Sequence, residues 1–130
     1  MNKVDVGTLL HGARAQCGRV QYAIDERDWN PMKIGDSLLP CFWWIPVAND
    51  ESGAWQSYWM RMDPGARSPQ HIHESTELLL VTQGVFTDGD NESYGPGEIV
   101  VYAAGSDHSS YSTEGCIALV VTRTSSRLLK

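Results

Sequence analysis

Short extended runs cut apart by glycine, proline, asparagine and aspartate constrain this chain more than any other feature. Leu38–Val47 is aromatic and apolar, and it ends at the polar turn Asn49-Asp50-Glu51-Ser52-Gly53. Trp55–Met62 stops at Asp63-Pro64-Gly65, and Pro69 keeps the stretch beyond it extended. Glu77–Val85, closed by Gly84, leads through Phe86-Thr87 into the loop Asp88-Gly89-Asp90-Asn91, with Glu92-Ser93-Tyr94 leading out. Gly95-Pro96-Gly97 precedes Glu98–Tyr102, Ala103-Ala104-Gly105-Ser106 precedes His108–Ser112, and Cys116–Thr122 is the last long run. Turn residues at this spacing between apolar, β-branched stretches predict an all-β sandwich or barrel. Only Val6–Ala15 carries a weak helical stripe (Val6, Leu9, Leu10, Ala13), and Ser125–Lys130 reads as a frayed tail.

The chain has 130 residues, enough for one domain with a core of its own. A hydrophobic share of 42% with 20% charged residues belongs to a folded globular protein. Net charge is −6 with no Lys/Arg run to offset it, which excludes nucleic acid as the expected partner. No apolar stretch approaches the ~20 residues of a membrane helix, and Met1–Leu10 lacks the basic start and apolar run of a signal peptide. Cys17, Cys41 and Cys116 are odd in number and widely spaced, without a CxxC pair. We therefore expect no disulfide framework and a reducing, cytoplasmic setting.

Three of the four histidines fall in one pattern, Gly65-x5-His71-x-His73-x3-Glu77-x6-Gly84, followed by Gly97-x5-Ala103-x-Gly105-x2-His108. Side chains two apart on a strand share a face, so His71 and His73 point the same way, and Glu77 has their parity. His108 comes from a separate strand and joins them only if the sheet curls round. Three imidazoles and one carboxylate are a ligand set for one divalent transition metal such as Fe, Zn, Ni or Mn, and the spacing does not choose among them. Glu74 has the opposite parity and should face solvent.

Other patterns carry less. Asp88-x-Asp90-x-Glu92 lacks the glycine and distant glutamate of a calcium loop and reads as a hairpin turn. Ser109-Ser110 beside His108 is a poor nucleophile pair if that imidazole ligates a metal. Cys116 on an apolar strand reads as a buried thiol, and Cys17 with His11 is too few for a second metal site.

These blocks resemble the paired motifs of the cupin superfamily, from about Leu38 to Thr122. The first block matches at Gly65, His71, His73, Glu77 and Gly84. The second departs at Ala103, where a proline is usual, and at Ser112, where an asparagine is usual, while His108 keeps its place. Trp29-Asn30-Pro31, Arg61–Ala66, Tyr94–Gly97 and Gly115-Cys116 are similar to the ChrR-like subgroup. The resemblance implies a jelly-roll β-barrel in a single domain, residues 1–130. Within it, 1–37 is an N-terminal arm, 38–123 the barrel and 124–130 the tail. It implies the metal ligands His71, His73, Glu77 and His108.

The subgroup includes the metal-binding domain of ChrR-type anti-sigma factors and iron dioxygenases acting on β-diketones and hydroxyacetophenones. Two functions therefore compete: a mononuclear oxygenase for a small ketone, diketone or hydroxy-ketone, and a non-catalytic zinc-filled sensor or binding domain. Four protein ligands on a six-coordinate metal leave two positions for a small-molecule ligand. The first thirty residues offer one histidine and one cysteine, so the zinc-binding helical module of an anti-sigma factor is not expected. A metal-dependent isomerase or lyase would need more inward-facing charged groups. The enzyme is the favoured expectation.

Trp43, Trp44, Trp55, Trp59, Tyr58, Tyr102, Met60 and Met62 are candidates to line the pocket. Arg61, opposite in parity to Met60 and Met62, would clamp a carboxylate only if it faced inward. The apolar Cys41-Phe42-Trp43-Trp44 run predicts a homodimer.

Overall fold

The computed structural model describes residues 14–16, 18–123 and 127–129. The strands begin with β1 (Arg14–Gln16), β2 (Arg19–Gln21), β3 (Asn30–Ile34), β4 (Ser37–Asn49) and β5 (Gln56–Met62). They continue with β6 (Ala66–Arg67), β7 (His71–Ile72), β8 (Glu77–Gly84), β9 (Phe86–Asp88) and β10 (Ser93–Tyr94). The last five are β11 (Ile99–Tyr102), β12 (Asp107–His108), β13 (Ser110–Ser112), β14 (Cys116–Thr122) and β15 (Arg127–Leu128). Among the described residues the only helical piece is a 3₁₀ turn at Glu26–Asp28, capped by the Asp25 carboxylate, which accepts from the Arg27 N–H. No helix among them is long and apolar enough to cross a membrane.

Six strands in the order β11-β8-β14-β5-β4-β3 form one antiparallel wall. The sets β10-β9-β13-β6 and β12-β7-β15 form the rest of the barrel. Alternation decides which face is inside. On β5, Tyr58, Met60 and Met62 are buried; on β14, Cys116, Ala118, Val120 and Thr122; on β8, Glu77, Leu79 and Val81. Register lines them up: Val120 lies between Leu79 and Tyr58, and Ala118 between Val81 and Met60. The small Ala118 admits the larger neighbours on either side, as close packing requires. Phe86 closes the core from the smaller wall, and truncating it to alanine should cost about 3–5 kcal/mol.

Gly84 ends β8 at φ +74°, where a Cβ would collide with the Gly115 carbonyl oxygen and come within 2.8 Å of the Cys116 Cα. The chain crosses itself there, so the glycine that closes the first motif serves the crossing and not the ligands.

The structure departs from expectation in four places. Arg14 and Ala15, the end of the expected helical stripe, lie in β1; the rest of that stripe lies outside the described residues. The run His108–Ser112 breaks at Ser109 into β12 and β13. Within the expected tail, Arg127 and Leu128 form β15, pairing with Ile72 and His71 of β7. This is a non-local pairing that a two-residue segment cannot announce. In the Cys41–Trp44 run, Phe42 and Trp44 turn into the core, while Trp43 is covered from outside by the Arg61 guanidinium. Its apolar surface is used within the chain.

Candidate metal centre

His71 sits on β7 directly opposite His108 on β12, so two of the three imidazoles are cross-strand neighbours in one ladder. His73 follows two residues after His71, where its N–H donates to the Ser106 carbonyl (2.9 Å) and its carbonyl accepts from Gly105 (2.7 Å). Those bonds lock the Ala103–Ser106 turn against the first motif. The ring centroids lie 5.2 Å (His71–His73), 4.6 Å (His71–His108) and 4.7 Å (His73–His108) apart. One ring nitrogen from each lies within 4.8 Å of the others, close enough to hold a metal ion between them.

Glu77 reaches the group by another route. The chain bends after His73, and Glu77 opens β8 in the six-stranded wall, paired with Tyr102 and Thr122. Barrel closure, not a continuous strand, brings its Oε2 to 3.2 Å from His73 Nδ1. Parity along one extended chain therefore does not carry Glu77 to the site: His108 is the cross-strand neighbour, and Glu77 comes from across the corner. Glu74 faces outward, as expected, and pairs with Arg127 at 2.6 Å.

Burial governs the electrostatics. Desolvation lowers all three imidazoles: His71; His73 to about 4, with His71 adding to the shift; and His108 to about 3, with both other histidines adding to it. Desolvation also raises the Glu77 carboxyl to about 7. Burial thus favours the neutral form of each, so His73 and Glu77 meet as a neutral contact more than an ion pair. His71 Nδ1 is hydrogen-bonded to the Pro69 carbonyl (2.8 Å), leaving Nε2 for a ligand. His108 Nδ1 is buried with no hydrogen-bond partner among the described residues. Neutral imidazoles, with His71 Nε2 and the buried His108 Nδ1 available, beside a carboxyl that burial disfavours as an anion fit a divalent cation, which would satisfy both at once.

Two residues behind the histidines were only partly legible. Tyr102, foreseen as a pocket residue, stacks on His73 (4.9 Å, 5° between planes) and lies 4.2 Å from His108. Asp88, read as a turn residue, is buried and accepts from Tyr94 (3.2 Å) and Tyr102 (3.4 Å) hydroxyls and from the Asp90 (3.1 Å) and Glu92 (3.3 Å) backbones. Its parity with inward Phe86 in the hairpin was the available signal.

A cavity of about 50 Å³ opens beside the site, bounded by His71, Glu77 and His108 and by an apolar wall including Phe42, Met60, Leu79 and Val120. Tyr58 also lines it; burial first, and then Glu77, holds its hydroxyl protonated well above the ordinary range. Of the other aromatic and methionine candidates, Trp44 and Met62 are buried in the core away from this lining. Trp43 and Trp59 are half-buried, and Trp55 is exposed. Arg61 faces outward, between the rings of Trp29 and Trp43.

An all-β barrel with three histidines positioned to bind a metal has the architecture of a cupin. The family model of the ChrR cupin-like domain matches residues 18–126, and the chain belongs to that family. No protein of curated description matches it. Among solved structures it is similar to the complex of Rhodobacter sphaeroides SigE with the anti-sigma ChrR (23% identity, TM-score 0.60). That match covers 72% of this chain but only 47% of the matched one, so the chain spans about half its length. It is also similar to the polyketide cyclase RemF from Streptomyces resistomycificus (19% identity, 85% and 86% of the chains, TM-score 0.67). A third is an acetylacetone dioxygenase from Acinetobacter johnsonii (10% identity, 94% and 80%, TM-score 0.66). At these identities the likeness is one of fold.

Proposed function

We propose that His71, His73, Glu77 and His108 hold one divalent transition metal and that the chain is a mononuclear oxygenase for a small ketone, diketone or hydroxy-ketone. The observation that carries this is the convergence of three imidazoles beside a mostly apolar cavity whose wall includes His71, His108 and the Glu77 carboxyl. A bound metal supplies Lewis acidity and, if it is iron, redox chemistry. The residues around it do the rest. Phe42, Leu79 and Val120 exclude bulk water. Tyr102, held by Asp88, keeps the His73 and His108 rings in place. Elemental analysis, then reconstitution with Fe(II) and measurement of oxygen uptake across a panel of diketones and hydroxy-ketones, tests the reading. Uptake that disappears in Glu77→Ala and His108→Ala supports it.

The family match and the likeness to an anti-sigma complex favour one other reading, a zinc-filled sensor domain. Tight zinc and no oxygen uptake under any reconstitution would select it.

A homodimer goes with either reading, now through a different surface. Ile99 and Val101 are 55% and 56% exposed on β11, the free edge of the large sheet. They continue an outer apolar row through Leu80 and Leu119 to Trp59 and through Leu78 to Val121. A free edge beside such a patch is the kind of surface that a second copy covers. Light scattering of the wild type and of Val101→Lys checks it: a monomer in the wild type overturns the dimer.

A further inference from the structure

Past the break at Ser109, the ladder next to the one that carries His71 and His108 holds a second polar pair. Ser110 lies two residues after His108, on the same inward face, and Ser68 joins it across the ladder, where the Ser68 N–H donates to the Ser110 carbonyl (2.8 Å). The two hydroxyl oxygens are 2.9 Å apart, and the Ser110 N–H donates to Ser68 Oγ at 2.9 Å. Both residues are buried, at 8% and 5% exposure, and both line the same cavity as His71, Glu77 and His108.

Counting protons settles what this pair can do. Two hydroxyls carry two protons, and their mutual bond uses one. If Ser68 donates to Ser110, the Ser110 proton is left over. If Ser110 donates to Ser68, the Ser68 proton is left over. Whichever holds, one O–H has no acceptor among the described residues, in a place where leaving a donor unmatched is costly. The next serine on the strand shows the contrast: Ser112, fully buried, donates to the Val85 carbonyl (2.6 Å) and is satisfied.

We propose that Ser68 and Ser110 form an oxygen-binding subsite, whose spare hydroxyl donates to an acceptor oxygen of the ligand that occupies the cavity. It rests on the proposed reading of the histidines as a metal site for a small carbonyl compound. The class of ligand follows. At roughly 10–15 Å³ per water-sized position, a volume of about 50 Å³ suits a short molecule. Two residues of chain span at most about 7 Å, and Ser68 and Ser110 line the same cavity as His71 and His108, so the serine pair lies within reach of a short molecule anchored at the histidines. The ligand is thus a compact molecule with two oxygens. One faces the histidines, the other is an acceptor for the serines, and a short carbon body rests against Leu79 and Val120. Hydroxyacetone and short dicarbonyls meet this description; a simple monoketone does not.

The test uses the Co(II)-loaded protein, whose visible bands report ligand binding without turnover. Formate, hydroxyacetone and butanone are titrated into the wild type, Ser110→Ala and Ser68→Ala/Ser110→Ala, with Co(II) affinity measured in each. Removing a hydrogen bond to a charged or strongly polarised oxygen should weaken formate and hydroxyacetone about tenfold in the double variant. The single variant should lose about two- to fivefold, because the Ser68 hydroxyl remains. Co(II) affinity and the weak butanone response should stay unchanged. Formate binding equal in all three proteins overturns the subsite. So does an unchanged single variant if the double variant does not fold. Formate that weakens as expected while no ketone perturbs the wild-type spectrum keeps the subsite and overturns the functional reading. Ketones that bind with equal affinity in every variant do the reverse.

Discussion

Two ring-lined polar clusters sit on opposite faces of the same barrel, and they are built to opposite rules. Outside, the Arg61 guanidinium lies 4.8 Å from the Trp29 ring and 5.2 Å from that of Trp43. Two carboxylates answer its charge, Glu26 at 3.4 Å and Asp63 at 3.3 Å, and Trp43 Nε1 donates to Asp63 at 2.9 Å. Inside, the histidines are packed as tightly against one another and against Tyr102, yet burial keeps them neutral and their nitrogens converge on one point. The outer cluster gains nothing from a cation. The inner one gains a great deal, because a metal ion both satisfies a buried imidazole nitrogen of His108 and compensates a carboxyl that burial penalises.

The sharpest way to break this contrast is to remove one member of each cluster. Deleting the imidazole in His108→Ala should reduce metal affinity by more than the roughly 10- to 100-fold that follows loss of a supporting group. Arg61→Ala should leave it within about twofold, as for distant independent sites. Chelator competition measures both, and equal effects would dissolve the distinction.

A smaller change is expected from the groups behind the ring nitrogens. Asp88→Asn and Tyr102→Leu should each weaken metal binding by about 10-fold, with a shifted Co(II) spectrum because the His73 and His108 rings lose their stop. Weaker binding with an unaltered spectrum would mean that the pair merely supports the fold.

The pH dependence of the metal-free protein sharpens the same point. Burial raises Glu77 from 4.5 to about 7, so its contribution to stability is whole below 4.5 and is lost as pH rises toward 7. His73 and His108, lowered from 6.5 to about 4 and about 3, act in the other sense. Their contribution is whole above 6.5 and lost as pH falls toward those values. Two histidines outweigh one carboxyl between the two ranges, so the metal-free protein should be most stable at about pH 6.5. Glu77→Gln should exceed the wild type in thermal midpoint by a margin that widens from pH 5 to 7 and then levels off. A constant margin across that range would refute the buried carboxyl.

The smallest effect belongs to the outer cluster. Arg61→Ala should lower stability by about 1–2 kcal/mol, through lost ring contacts and two partly exposed ion pairs. Chemical unfolding measures it, and a loss several times larger would mean that Arg61 holds the barrel closed.

Alternation along the chain made much of this legible. Burial patterns on β5, β8 and β14 follow the two-residue period visible in Tyr58-Trp59-Met60-Arg61-Met62 and its counterparts. The outward setting of Glu74 and Arg61 and the shared face of His71 and His73 are readable from the same rule. Among the large strand residues Tyr58 and Met60 do line the cavity, but the tryptophans were a poor guide, since Trp43, Trp44, Trp55 and Trp59 lie away from its lining while Ser68 and Ser110 are part of it. Serines on strands carry no mark in sequence that separates a pocket wall from a solvated face.

Sequence alone thus determined the β class, the turn positions and which side chains could share a face, because each depends on a handful of neighbouring residues. Tertiary structure decided that His108 sits beside His71, that Glu77 arrives from the other wall, that Asp88 reaches Tyr102, and that Arg127–Leu128 pairs with β7. Those are pairings between distant parts of the chain. They are set by how the barrel closes around its core, a condition that no local pattern contains.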